Sequence, residues 1–320
     1  MTAGQFRLTV VIPTHNGSAR IGNLLRVLAA QTIEPTRMDV LVVDNGSGPD
    51  QARAIRASEA FVALSARYRA TILQVATPGL TNARIAGVGA TTAAVVLFVD
   101  DDVLPDAGCC DAALRTFDAA HVGVAFGRVY PAYSREPHYS IRKREGILAV
   151  NHRLGDDQIV WKAGDAFAPT IGAALAVRRQ AFLDAYPWQE PHRLLPDRVG
   201  TRLVSGGDLE IGQFLARAGW WRVYNPAMTV HHAIAVERLR PLRFCQLIVG
   251  IERSRAAFED KFEMAPGAAR RRMLALRDLA AIVLATPFWL FSRDGPRGWL
   301  YAVVSRIGRL MGAYRPPGRD

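Results

Sequence analysis

The sequence predicts a doubly wound, mostly parallel α/β sheet, on two observations. Between residues 8 and 128, short apolar runs alternate with helix-length stretches. Polar residues gather just past the carboxyl ends of those runs, where open α/β sheets bind ligands. The runs are Leu8–Ile12, Val40–Val43, Thr71–Val75, Val95–Val99 and Val122–Phe126. They are rich in Val, Ile and Leu, as suits strands buried on both faces. Between them Ala19–Ala30, Gln51–Arg67, Thr81–Ala90 and Ala107–Ala119 can each form a helix, so right-handed crossovers are expected.

From about 130 to 235 the pattern loosens, and Pro131, Tyr133, Trp161, Trp188, Trp220 and Trp221 are scattered through it. Trp188, Trp220 and Trp221 suit either stacking on a sugar or lipid, or core packing. Tyr186–Gly207, rich in Pro, Arg and Gly, reads as a long mobile loop. After about 240, Arg270-Arg271-Arg272 leads into Leu279–Phe291, an apolar stretch broken by Pro287. That stretch falls short of the ~20 residues a bilayer span needs. Trp299–Met311 follows, with Trp299, Val303, Ile307 and Leu310 on one helical face and Arg306 and Arg309 elsewhere. With Arg297 nearby, this tail reads as interfacial, lying on an anionic membrane surface. The alternative is a pair of helices docked on the preceding domain.

Composition narrows the function classes. Of 320 residues half are hydrophobic, enough for a sizeable core, and the net charge is +11. Arginine carries nearly all the surplus, since Lys143, Lys162 and Lys261 are the only lysines. Such a balance suits phosphorylated substrates, anionic lipid or nucleic acid. No nucleic-acid-binding module signature is present, so nucleic acid is not an expected partner. Cys109, Cys110 and Cys245 make neither a disulfide framework nor a metal-type spacing and read as core thiols. The first apolar run is too short for a signal-peptide core, so the expected location is cytoplasmic, peripheral on the inner face of the inner membrane.

The chemistry concentrates at three strand ends. Asp100, Asp101 and Asp102 follow Val95–Val99 directly. Carboxylates this close repel one another, and a divalent cation such as Mg²⁺ or Mn²⁺, itself holding a diphosphate, is the usual remedy. An acidic helix cap is the plainer explanation, but one Asp suffices for a cap. The first strand ends in Pro13-Thr14-His15-Asn16-Gly17 and the second in Asp44-Asn45-Gly46-Ser47. Asp44 can accept hydrogen bonds from a base or ribose, although turn chemistry explains Asn, Gly and Ser equally well. Pro78-Gly79-Leu80-Thr81-Asn82-Ala83-Arg84 opens a helix, and Arg84 either reaches the crevice or is a solvated helix residue.

Taken in order, these segments resemble family 2 glycosyltransferases of the GT-A fold. The likeness extends to the small-residue stretch Thr170–Arg179, to Gly206-Gly207-Asp208-Leu209-Glu210 with Leu215–Gly219, and to His231-His232 ahead of Glu237-Arg238-Leu239. It covers roughly residues 7–255, and implies a GT-A domain over 1–240 (nucleotide half 1–128, acceptor half 129–240) with a helical region over 241–320. It implies that Thr14, His15 and Asp44 contact base or ribose, with Arg84 near the base and Pro13, Asn16, Asn45 and Asp101 lining the same donor site. Asp100 would meet the ribose, Asp102 and His232 the Mn²⁺ or Mg²⁺, and Asp208 would be the general base. Read unaided, Asp208 is equally a helix cap, and the histidines are structural by default. Gly207 and Ile85 stand where the family often has Glu and Asn. The activity implied is metal-dependent, inverting transfer of a sugar from a nucleotide-sugar to a saccharide or lipid-linked acceptor, in cell-surface polysaccharide or glycoconjugate synthesis. A sugar-phosphate nucleotidylyltransferase would need a Gly- and Arg-rich phosphate loop ending in Lys, and residues 13–22 contain none. A non-catalytic nucleotide- or lipid-binding protein is disfavoured by intact Asp102 and Asp208. Glu210 and Asp165 are the reserve candidates for the base.

Overall fold

Reversal of the strand order beside the first strand sets the architecture. In the computed structural model, which describes residues 7–165, 168–195, 206–264, 273–281, 283–284 and 295–314, β1 (Leu8–Thr14) lies between β2 (Met38–Asn45) and β4 (Val95–Val99). β3 (Arg69–Val75) pairs with the far side of β2, and all three pairings are parallel. The chain thus winds outward from β1 through β2 to β3, then returns to β4 on the other side of β1. That is a topological switch point, and a crevice opens at the strand carboxyl ends there.

Beyond β4 the sheet turns antiparallel. β8 (Ala174–Arg178) pairs antiparallel with β4, Val99 facing Ala174, and with β6 (Val122–Tyr133). The run over Val122–Phe126 therefore does form a strand, but not one beside β4, because the small-residue stretch Thr170–Arg179 inserts between them. β9 (Trp221–Ile234) follows, pairing antiparallel with β5 (Val103–Pro105) and with β7 (Ile159–Trp161). The full order is β3-β2-β1-β4-β8-β6-β9-β5, with β7 on β9.

Alternation along the strands divides the core into two layers. Val10 and Ile12 pack into one cluster with Leu24, Leu25 and Leu28 of α1 (Gly22–Ala29), Phe61 and Leu64 of α3 (Glu59–Arg67) and Leu114 of α5 (Cys109–Thr116). Val11, Leu41, Val43 and Phe98 join the other cluster, with Ala83 and Val88 of α4 (Leu80–Gly89), Phe182 of α7 (Arg179–Ala185) and Ile211 and Leu215 of α8 (Gly207–Arg217). Period-two side chains on a sheet covered on both faces give this result. The helix expected over Gln51–Arg67 is two helices, α2 (Gln51–Ala57) and α3. Ser58 breaks it with extended backbone (φ −70°, ψ 141°), and its hydroxyl accepts the N–H of Phe61. Cys109 and Cys110 are buried and Cys245 is partly buried, all as free thiols.

Contacts divide the chain into two compact units. The sheet unit comprises Met1–Ala132, Ala149–Leu194 and Gly207–Ala233; the second comprises Tyr133–Leu148, Leu195–Gly206 and Ile234–Asp320. Two segments ahead of residue 240 thus fold with the C-terminal region. Within the second unit α9 (Pro241–Lys261) packs along α10 (Gly295–Tyr314), with α6 (Tyr139–Arg142) beside α10. The seam is made of small residues: a Cβ on Gly312 would come within 2.7 Å of Ala256 Cβ, and one on Gly308 within 3.1 Å of Glu252 Cβ. Tyr301 is fully buried, edge-on to Phe244. The apolar face expected to carry Trp299, Val303, Ile307 and Leu310 is not the docked one, and Ile307 is exposed. No described helix is long and apolar enough to cross a membrane. Of the expected mobile loop, residues 196–205 lie outside the described residues, as do Arg270–Arg272 and 285–291 of the tail.

One glycine tests the β6–β9 contact. A Cβ at Gly127 would lie 1.8 Å from the Met228 carbonyl oxygen, so backbone must move. Gly127→Ala is expected to cost at least about 1–3 kcal/mol, the usual range for overpacking, measured by urea unfolding.

Candidate active site

The ends of β1, β2 and β4 are stitched together by side chains that the strand order brings side by side. In register Thr14 lies opposite Asp44. His15 Nδ1 is 2.8 Å from the Asn45 carbonyl. Asn45 donates from Nδ2 to the Thr77 carbonyl (2.6 Å) and accepts at Oδ1 from the Gly79 N–H (2.6 Å). Gly79 has φ 138°, a conformation that favours glycine, and it precedes α4. Asn16, at φ 48°, accepts at Oδ1 from the Gly48 N–H and donates its own N–H to Ser47 Oγ. The Asn16 and Asn45 side chains therefore fix the loops around the crevice.

The acidic turn is held from several sides. Val103 N–H closes it by donating to the Asp100 carbonyl (3.0 Å). Thr14 Oγ1 donates to Asp101 Oδ2 (2.6 Å), across the switch point. Arg20 reaches Asp101 through Nε (2.9 Å) and Nη2 (2.8 Å) and also donates to the His15 carbonyl (2.9 Å). Asp101 is thereby neutralised by the protein itself. Asp102 is 3.6 Å from Nε2 of the buried His232, because β5 and β9 pair Val103 with His232 and the Ala233 N–H donates to the Asp102 carbonyl (2.8 Å). His231 points elsewhere, to Asp106 at 3.0 Å and against the Tyr130 ring.

A second cluster forms where β8 begins at the level of the end of β4. Arg84, on α4, is buried rather than solvated. Its Nη2 is 3.6 Å from Asp100 Oδ1, and its guanidinium lies 5.6 Å from the Phe98 ring centre. Asp208, in the first turn of α8, accepts the Gly172 N–H at Oδ2 (2.7 Å), while Thr170 Oγ1 donates to the Asp208 carbonyl (3.2 Å). A Cβ at Gly172 would lie 2.5 Å from Arg84 Nη2 and 3.3 Å from Asp208 Oδ2. Gly172 thus lets the guanidinium and the carboxylate approach one segment of backbone. Glu210, on the same helix, is buried beside the Tyr186 hydroxyl (3.4 Å). Asp165 instead closes its own turn, accepting the Lys162 N–H.

Three buried polar atoms here lack hydrogen-bond partners among the described residues: Asp44 Oδ1, Asp100 Oδ1 and Arg84 Nε. Buried polar atoms in native proteins are nearly always paired, so three at one crevice point to partners that a ligand brings. Burial pushes the Asp100 carboxyl up to about 6, with Arg84 pulling it down and Asp102 pushing it further up. Donors or positive charge arriving at Asp100 would relieve that strain.

No group of three or more His, Cys, Asp or Glu among the described residues is poised to hold a cation alone. Asp102 and His232 offer two donors side by side, which suits a cation that takes its remaining oxygens from phosphate and water. A cleft of about 660 Å³ borders Asp101 and Asp102 on the side of α1 and the start of α3, with Arg20 and Arg26 in its wall. Thr14, Asp44, Arg84 and Asp208 do not line it. The polar atoms without partners place the candidate site at the strand ends instead.

Sequence reasoning passed over Arg20 and Gly172. Arg20 sits 81 residues from Asp101 with no local signal. Gly172 lay within the small-residue stretch already singled out, and its lack of a side chain was the available clue. Trp188 and Trp220 pack against the second core cluster, whereas the half-buried Trp221 stacks on the exposed His121 and has Lys162 Nζ 5.3 Å from its ring centre.

Glycosyl transferase family 2 matches residues 9–182. The chain belongs to this family. Validoxylamine A glucosyltransferase of Streptomyces hygroscopicus subsp. limoneus is 31% identical over 165 residues, covering 50% of this chain and 33% of that protein. The chain thus spans about a third of that relative's length. Residues 1–349 of S. aureus TarS superpose with a TM-score of 0.53 at 14% identity, covering 95% of this chain and 90% of that one. The mannosyltransferase PcManGT from Pyrobaculum calidifontis, solved with GDP-Man and Mn²⁺, superposes at 0.55 with 16% identity, covering 95% and 87%. At such identities these two structures speak to the fold, which they share.

Gly172→Ala is expected to displace Arg84 from its seat beside Asp100. Transfer rate should fall at least tenfold, in the lower part of the range seen when catalytic geometry is disturbed by about an ångström. Circular dichroism should report an unchanged fold.

Proposed function

We propose that this chain transfers a sugar from a nucleotide-sugar to a hydroxyl-bearing acceptor with inversion at the anomeric carbon. The observation that carries the reading is the convergence of Asp44, Arg84 and Asp100, each with a buried atom lacking a hydrogen-bond partner, beside Asp102, His232 and Asp208. Asp44 and Asp100 supply acceptors for base and ribose N–H and O–H donors, and Arg84 neutralises Asp100. Thr14 and Arg20 occupy Asp101, which leaves Asp102 and His232 as the pair that would hold Mg²⁺ or Mn²⁺. A cation bound there supplies neutralisation of the negative charge that develops on the leaving diphosphate.

Asp208 is the base. The Gly172 N–H bond orients its carboxylate, and Oδ1 lies beside the Leu209 N–H (3.0 Å). As the acceptor oxygen attacks the anomeric carbon, Asp208 takes its proton, and the bond from that carbon to the diphosphate oxygen breaks. One displacement without a covalent intermediate inverts the configuration. The acceptor class proposed is a saccharide or lipid-linked saccharide, following the family resemblance.

Two experiments test this reading separately. Asp208→Asn keeps the shape of the side chain and its acceptor for Gly172 but cannot take a proton. Its turnover should drop ~10²–10⁴-fold with donor affinity nearly unchanged; near-normal turnover would assign Asp208 to structure and move the search to the buried Glu210. The metal reading is tested by calorimetry of UDP and GDP binding with Mn²⁺. Asp102→Asn and His232→Ala should each weaken the metal-dependent part, and full wild-type turnover in excess EDTA would refute metal dependence.

A further inference from the structure

The second unit wears a helix inside out. Residues 273–281 and 283–284 are helical, and the one acidic side chain in that stretch, Asp278, is buried. Asp278 Oδ2 accepts from Arg309 Nε of α10 at 3.0 Å, and Arg309 Nη1 also lies 3.3 Å from Glu252 of α9. On the opposite face, at helical spacing, stand Met273, Leu276, Leu279 and Val283, all exposed, with Leu276 at 67%, Val283 at 72% and Leu284 at 71%. An ordinary surface helix has the reverse arrangement. The Asp278–Arg309–Glu252 bridge fixes the polar side inward, so rotation cannot hide the apolar face without leaving a buried charge unpaired.

Two further observations say what covers that face. Met264, Leu242, Ile307 and Met311 are exposed in the same unit, whereas in the sheet unit Val62 and Val160 are the exposed large hydrophobics among the described residues. Charge is divided the same way. Arg and Lys outnumber Asp and Glu by 11 in the second unit, the whole surplus of the chain, so the sheet unit is electroneutral. A second copy would bring the same positive charge against itself. Exposed apolar side chains with the exposed Arg277 on the same stretch, and the exposed Arg255 on α9 of the same unit, match an anionic lipid surface, where the apolar groups enter the headgroup boundary and the arginines meet phosphate.

We propose that the helical stretch over 273–281 and 283–284 is the part of this protein that seats on a bilayer of acidic lipid, lying in the interface rather than crossing it. The docking surface belongs to the second unit and does not depend on the reaction assigned to the sheet unit.

Flotation of the full chain with vesicles of phosphatidylglycerol and phosphatidylcholine tests this directly. Wild-type protein should float with acidic vesicles at low salt, and partly remain bound at high salt, because apolar burial is unscreened. Leu276→Glu with Val283→Glu should lower partitioning at least tenfold, with unchanged melting temperature, since both side chains are already exposed. Val62→Glu, in the sheet unit, should bind as wild type. Failure of wild type to float with acidic vesicles would overturn the proposal. So would a double variant that floats normally, or a wild-type dimer in light scattering that the double variant turns to monomer.

Discussion

Everything at the candidate site depends on β1 having its two parallel neighbours on opposite sides. That reversal places the ends of β1, β2 and β4 around one crevice, with Thr14 the last residue of β1, Asp44 the penultimate residue of β2 and Asp100 the residue after β4. Hydrophobic alternation fixes the register, since a slip by one residue would exchange the two core layers. The loops are then fastened by Asn16, Asn45 and Thr14 rather than left to find their own conformations.

The second constraint is electrostatic. Three adjacent carboxylates are kept apart in role by giving each a different partner: Arg84 for Asp100, Arg20 and Thr14 for Asp101, and His232 for Asp102. The antiparallel half of the sheet makes this division. The turn entering β8 brings Gly172 beside Arg84 and Asp208, and β9 brings His232 beside Asp102. The two halves of the sheet thus bring different side chains to one site, Asp44 and Asp100 from the parallel side and Asp208 and His232 from the antiparallel side.

Much of this was legible in the sequence. The parallel half follows from four apolar runs and the helices between them, and polar residues after Ile12, Val43 and Val99 marked the crevice. Resemblance singled out His232 over His231; in the structure His232 stands 3.6 Å from Asp102 and His231 3.0 Å from Asp106. What was not legible lies in contacts distant along the chain. Nothing near Arg20 announces Asp101, and nothing near Ser58 announced that its extended backbone would split one predicted helix into two. The tail shows the same limit. Helical periodicity found an apolar face on α10, but whether that face or the Gly308–Gly312 seam meets α9 is decided by close packing, which periodicity does not encode.

The central claim is that the polar atoms without partners are completed by a nucleotide-sugar, and thermal unfolding of Asp44→Asn tests it most directly. An isolated buried acceptor costs about 1–3 kcal/mol, so the apo variant should melt at or above the wild-type temperature. Wild type should gain stability from UDP-glucose or GDP-mannose with Mn²⁺, by an increment that grows with ligand concentration, and Asp44→Asn should lose most of that gain. A variant that melts well below wild type without ligand, yet keeps the full ligand-induced shift, would show Asp44 to be a structural residue and contradict the account.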